Sequence, residues 1–362
     1  MNNGNSYSLL MARTIMERFP HADDYPYRSW SYPQGLMLWA FIRLFEKTGD
    51  KKYGDYVLDY CASHVRENGE IPAFSGVSLD DIMPGSVLVW AWSLTGEKKY
   101  KAACERIFKT FDDYPRNSDG GFWHNRELDH EMWVDGLFMG LMFLARYGKF
   151  IGDRDFCFSE TVNQLSIIFD RCEKDSCGLL YHAYSEDRKA KWAHPLTGKS
   201  PEVWSEGLGW YAMILSDVLE LLPVEFKGYD RLTTQMKKLI DGLEKVQDQS
   251  SGLWCQVVDK PSGRRNWHDS SGSAMFLYAI KKAGLLGIGS RDKCDSIAAK
   301  AFNGLKTKCL LDYEGRANIH DACNWLGVLA SYDAYVDYTR QVNCQEAIAA
   351  FFWACQIMEY GL

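Results

Sequence analysis

Apolar residues along this chain gather in runs too continuous for a surface helix. Each run is followed, within a few residues, by a segment that mixes apolar and charged positions. Residues 36–45 (LMLWAFIRLF) and 87–94 (VLVWAWSL) are such runs, and 54–65 (GDYVLDYCASHV) and 101–111 (KAACERIFKTF) are their charged successors. The joint between run and successor repeats, as TGDKKY at 48–53 and TGEKKY at 95–100. A glycine placed as Gly49 and Gly96 are, just past an apolar run, ends a helix in the left-handed conformation, so each repeat predicts a helical hairpin. Further pairs follow at 132–147 with 157–171, 204–222 with 229–247, 271–283 with 291–306, and 322–335 with 344–360. In all six pairs the first member is largely apolar. Helices apolar nearly all round belong inside a structure and amphipathic ones outside. The expectation is an all-α fold in which six hairpins close into one barrel, first members inside and second members outside, as a single domain over residues 1–362. Strand signals are confined to short stretches near 178–184 and 252–257.

Composition narrows what such a barrel does. A chain of 362 residues with 46% hydrophobic content can bury a large core. The net charge of -7, with no basic run interleaved with aromatics, argues against nucleic acid and anionic membranes as partners. No window is apolar enough over about 20 residues to span a bilayer. The first 19 residues lack the apolar centre of an export signal. Eleven cysteines, an odd number without a CxxC pair, read as buried free thiols, with no disulfide framework and no metal site. A reducing cytoplasm is expected, or a periplasm if a signal peptide was trimmed. Thirteen Trp and twenty Tyr exceed what a core of this size needs, and they gather in polar loops at 123–133, 192–210 and 254–267, as in a ligand groove.

The segment GGFWHNRELDHEMWVDGLFMG (120–140) carries the candidate chemistry. It sets Asp135 between Trp133 and an apolar run, with His124 a short loop upstream. Burial among apolar groups raises an aspartate's pKa toward the range of a general acid. Indoles and imidazoles offer flat faces and hydrogen-bonding edges to a sugar ring. An aspartate at a helix start also suits a plain role in charging the first turn, and the segment by itself leaves both readings open. In a barrel of hairpins the loops entering the inner helices gather at one end, and Asp80, His124, Asp135, His182, Trp204 and Trp210 all fall there.

The motifs SLDDIMPG (78–85), GGFWH (120–124), MWVDGLFM (132–139), GLLYHAY (178–184), the W-x-x-x-x-G-W of Trp204 and Trp210, and SSGSAMFLYAI (270–280) occur in order. Together they resemble the unsaturated rhamnogalacturonyl hydrolases, glycoside hydrolase family 105, which are related to the unsaturated glucuronyl hydrolases of family 88. The resemblance implies an (α/α)6 barrel. It also implies hydration of the 4,5-unsaturated uronic acid that polysaccharide lyases leave at the non-reducing end of an oligosaccharide, with no cofactor and no metal. It makes Asp135 the acid and base, with Asp80 as a second carboxylate and His182 beside it. Asp80 otherwise reads as a helix cap ahead of Pro84. His124, Trp133, Trp204, Trp210 and Tyr32 match positions facing the sugar. The partner implied is the oligosaccharide alone, on a monomer or homodimer.

Two positions depart from the family pattern. Glu206 stands where many relatives carry arginine, and Glu131 where they often carry glutamine. A carboxylate repels the anion that a guanidinium would clamp, so the sugar attached at C1 is expected to differ or the uronate to be held from elsewhere. Rival readings are an inverting glycosidase on a saturated sugar with Asp80 and Asp135 as base and acid, a six-hairpin sugar epimerase working through its histidines, and a non-catalytic helical scaffold.

Overall fold

The computed structural model describes residues 6–24 and 30–361; the opening MNNGN, part of the stretch read for an export signal, lies outside them. Thirteen α-helices are found among the described residues: α1 (Tyr7–Arg18), α2 (Tyr32–Thr48), α3 (Lys51–His64), α4 (Gly85–Thr95), α5 (Lys98–Phe108), α6 (Val134–Phe150), α7 (Arg154–Cys172), α8 (Ser205–Leu221), α9 (Tyr229–Val246), α10 (Ser270–Leu285), α11 (Arg291–Lys308), the five-residue α12 (Tyr332–Val336) and α13 (Gln345–Tyr360). No described helix is long and apolar enough to cross a membrane.

The repeated TG[DE]KKY joint is built as its residues dictate. Gly49 and Gly96 both take φ of 70°, and their N–H groups close on Phe45 and Trp92 carbonyls. Thr48 Oγ1 donates to the Leu44 carbonyl and accepts from the Asp50 N–H, and Thr95 does the same between Ala91 and Glu97. The closing Tyr53 and Tyr100 turn inward and are buried. Each hairpin therefore reverses within three residues, and its two helices pack side by side.

Helices α2, α4, α6, α8, α10 and α13 form the inner ring, each packed on the next and α13 closing on α2. Burial follows the pattern read from sequence: α8 buries every residue from Ser205 to Leu219, and α13 every residue from Gln345 to Ile357. The outer helices bury one face; α9 buries Leu232, Met236, Leu239, Ile240 and Leu243 and exposes its lysines or half-exposes them. Near the C-terminal ends of the inner helices Asp217 is fully buried against three cations. Arg146 Nη2 and Lys282 Nζ each lie 2.7 Å from its carboxylate, and Arg43 Nη2 3.3 Å away.

The sixth hairpin departs from expectation. The segment 344–360 is the inner helix, not the outer one, and its outer partner is α1 from the opposite end of the chain. Glu359 joins them, accepting from Ser6 Oγ and the Tyr7 N–H at 2.7 Å each. Of the helix expected over 322–335, only Tyr332–Val336 is helical. Ala317–Ala322 forms the central strand of a small antiparallel sheet with Cys309–Leu311 and Gln341–Val342. Asp321 and Trp325 have φ of 62° and 57°, which no α-helix accommodates. Thr14 and Arg18 of α1 hold the strand, through Thr14 Oγ1 to the Ala317 N–H and Arg18 Nη1 to its carbonyl. Short strands appear at both expected places, Ala183–Ser185 and Trp254–Cys255, paired with Glu131–Trp133 and His268–Asp269.

Candidate active site

Because the inner helices run parallel to one another, their N-termini converge at one end of the barrel, where a cavity of about 140 Å³ opens. Five of the six inner helices place a carboxyl at or beside this end. Asp135, Glu206 and Glu346 lie in the first turns of α6, α8 and α13; Asp269 caps α10; Asp80 sits in the 3-10 turn Leu79–Asp81 ahead of α4. The remaining helix, α2, begins with Tyr32, whose hydroxyl donates to Glu346 Oε1 at 2.8 Å. Unpaired N–H groups and the positive ends of the helix dipoles favour carboxylates at such positions.

Asp135 is held by the Gly136 N–H, 2.9 Å from Oδ1, while Oδ2 lies 3.8 Å from His182 Nε2. Burial pushes this carboxyl up, but His182, His124 and the Gly136 N–H outweigh it, and the group lies below its ordinary value. The raised pKa expected from its apolar surroundings is therefore found elsewhere. Asp80 is pushed up to about 6, by burial first, against the opposing pull of His124, whose Nε2 is 3.7 Å away, and with the help of Asp135 and Asp81. The two carboxylates are thus unequal in the manner that lets one hold a proton beside an ionised partner.

Seven of the eight residues singled out from sequence line the cavity: Tyr32, Asp80, His124, Trp133, Asp135, Trp204 and Trp210. His182 stands behind Asp135, 1% exposed, with its ring centroid 4.5 Å from that of Trp204. Burial lowers its pKa, against the opposing pull of Asp135, and so favours the neutral ring. His182 Nε2, His124 Nδ1 and Trp204 Nε1 are buried and make no hydrogen bond with other described residues.

Glu206 faces this cavity and is 2% exposed. Ser271 Oγ donates to its Oε2 at 2.6 Å, and the same hydroxyl lies 2.8 Å from Asp269 Oδ1. Burial, then Glu346 and Asp269, raise Glu206 well above the ordinary carboxyl range; burial likewise raises Asp269, and takes Glu346 to about 7. Glu131 lies off the wall and accepts from Trp133 Nε1 at 2.9 Å, so it orients an indole that lines the site. Among the described residues no Lys or Arg lines the cavity, and no group of three or more His, Cys, Asp or Glu is arranged to hold a metal ion.

Sequence reasoning missed four parts of the site. Glu346 shows the same signal as Asp135, a carboxyl opening an apolar helix, but the pairing expected from sequence puts that helix in the outer layer. Asp269 immediately precedes a motif that was recognised. The wall formed by Trp325, Leu326 and Gly327, and Tyr335 behind it, lie in the segment read as a helix.

A closed ring of six inner and six outer helices with an acid-lined, aromatic-walled cavity at the inner N-termini defines a barrel that works on carbohydrate. The family model for Glycosyl Hydrolase Family 88 matches residues 7–360. A family 105 glycoside hydrolase of C. acetobutylicum superposes with a TM-score of 0.93 at 31% identity, covering 98% of this chain and 99% of that one. An unsaturated glucuronyl hydrolase of Bacillus sp. GL1 shares the fold at TM-score 0.71 and 15% identity, over 98% of this chain and 95% of that one. A protein from the picA locus of Rhizobium radiobacter is 35% identical over 217 residues, 59% of this chain and 91% of that protein. The chain belongs to the family 88 and 105 glycoside hydrolases.

Proposed function

We propose that this glycoside hydrolase removes the 4,5-unsaturated uronic acid from the non-reducing end of lyase-generated oligosaccharides, with Asp135 as acid and base. The observation that carries the reading is the placing of Asp135 on the cavity wall, facing His182 and electrostatically coupled to Asp80, whose carboxyl still holds a proton near pH 6. In the free protein Asp135 is biased toward the carboxylate. A uronate desolvated beside it raises its pKa and favours transfer of the site's proton onto it. Asp135 then gives that proton to C4, and the positive charge left at C5 spreads onto the ring oxygen. The resulting carboxylate takes a proton from water as the water oxygen bonds to C5. The hemiketal so formed opens, and the group attached at C1 leaves with its oxygen protonated.

Among the described residues the wall carries Glu206 and no guanidinium, so of these groups the imidazole side of the cavity and the shared protons of the carboxyl ring are the ones that receive the uronate. This favours a sugar at C1 other than the rhamnose of rhamnogalacturonan. The eleven cysteines are all free and ten are buried, which suits a reducing cytoplasm. The test is a panel of lyase products followed by the ultraviolet absorbance of the conjugated double bond. The signal decays with wild type and persists with Asp135→Asn. Decay at the wild-type rate with Asp135→Asn removes this residue from the chemistry, and faster turnover of saturated than of unsaturated oligosaccharides replaces the reading with an inverting glycosidase.

A further inference from the structure

Tyr335, in α12, is fully buried behind the cavity wall, and its hydroxyl stands between two nitrogen atoms. The Leu329 N–H lies 3.2 Å from the phenol oxygen, and His182 Nδ1 lies 2.7 Å from it. An amide N–H can only donate, so the phenol oxygen accepts from Leu329 and still has its own proton to place. Leaving that proton without an acceptor in a dry interior is costly. His182 Nδ1 is the acceptor within reach among the described residues. A neutral imidazole carries one N–H, so a ring that accepts at Nδ1 bears its proton at Nε2. Nε2 is the atom 3.8 Å from Asp135 Oδ2. The opposite tautomer would strand the phenol proton and turn an Nε2 lone pair against a carboxylate.

We infer that Tyr335 is a positioning residue: its hydroxyl fixes His182 in the Nε2–H tautomer, so that this N–H is aimed at the Asp135 carboxylate. The catalytic consequence rests on the reading of Asp135 as acid and base; the tautomer itself does not. With the N–H so aimed, His182 stabilises the ionised Asp135 that remains once its proton has gone to carbon. The ring has little freedom to turn away, being flanked by Trp204 and by Trp133, whose centroid is 5.9 Å from its own. Leu329 belongs to the loop that carries Trp325, Leu326 and Gly327 into the cavity wall, so one hydroxyl ties the wall of the site to the hydrogen-bonding state of its histidine.

The tautomer is read directly from long-range proton–nitrogen correlation spectra of protein labelled with 15N-histidine, with the His182 signals identified by their loss in His182→Gln. The wild-type spectrum is expected to show Nδ1 as the unprotonated nitrogen and Nε2 as the protonated one. This arm needs no Tyr335 variant to fold and no substrate. In Tyr335→Phe the His182 signals move toward a mixture of tautomers. The same change lowers kcat by about tenfold or more, with KM within about threefold of wild type, as for an interaction that matters in the transition state. A wild-type His182 protonated at Nδ1 overturns the inference. So does a Tyr335→Phe protein whose tautomer and kcat match wild type, or one that loses only thermal stability. If wild type turns over no lyase product, the proposed reaction fails, while the spectra still decide the tautomer.

Discussion

His124 lies flat on Trp133, with ring centroids 4.2 Å apart and planes 8° from parallel. The edge of the imidazole is accommodated by a missing side chain. A Cβ at Gly136, the residue after Asp135, would come within 2.4 Å of His124 Nδ1. The imidazole therefore occupies the space that a glycine in the first turn of α6 leaves open, and from there its Nε2 reaches toward Asp80.

Gly136→Ala should displace His124 while suiting α6, since alanine is the better helix former. We expect kcat/KM to fall by about 100-fold or more, as for a misplaced active-site group, with the melting temperature within a few degrees of wild type. Wild-type activity in Gly136→Ala would mean that the position of His124 is immaterial.

In the proposed reaction the acid pair sets the pH dependence. The proton needed at C4 is held while Asp80 remains protonated, and Asp80 titrates at about 6. Activity is therefore expected on the acid side and should fall as pH rises through about 6, and Asp80→Asn, which cannot hold that proton, should lose activity across the whole range. A wild-type kcat/KM that is level from pH 5 to pH 8 would contradict the arrangement.

Asp80 should also cost stability at neutral pH. Its folded pKa lies above that of an unfolded aspartate, near 3.9, so the folded state binds more protons between roughly pH 4 and 6 and stability declines with rising pH over that window. Because 30% of the side chain remains open to the cavity, solvent screens the effect, and Asp80→Asn is expected to gain only about 1 kcal/mol at pH 7. Denaturant unfolding at pH 7 and pH 4 tests this: the gain should be present at pH 7 and shrink at pH 4.

At the opposite end of the barrel, Asp217→Ala would leave Arg43, Arg146 and Lys282 facing one another without their shared anion. Breaking a buried ion cluster from one side costs about 3–5 kcal/mol. A melting temperature unchanged in Asp217→Ala would show that water or Glu220, 2.5 Å from Lys282 Nζ, takes over the role.

The barrel was legible because helix burial is written locally. Runs apolar on all sides, glycines at their ends and amphipathic successors predict inner and outer layers without any long-range information, and the TG[DE]KKY joints fold as those residues require. Asp135, His124 and the tryptophans were legible for a similar reason: polar groups set against apolar helix starts are costly unless used. What the pattern could not supply was the partner of each segment. Residues 317–322 became a strand because Thr14 and Arg18, some 300 positions earlier, bind their backbone, and 345–360 became an inner helix because α1 supplied the outer one.

The same division runs through the site. Sequence by itself determined which polar and aromatic residues open the inner helices and that they share one end of a helical barrel, since side-chain type and helix periodicity are properties of neighbouring residues. Tertiary structure alone decided where the protons sit. It lowered Asp135 with two imidazoles, raised Asp80 by burial, gathered Glu206, Asp269 and Glu346 from three helices, and set a phenol from the distant α12 against His182. A pKa and a tautomer depend on the charges and hydrogen bonds within a few ångströms, and those neighbours are assembled only when the ring of helices closes.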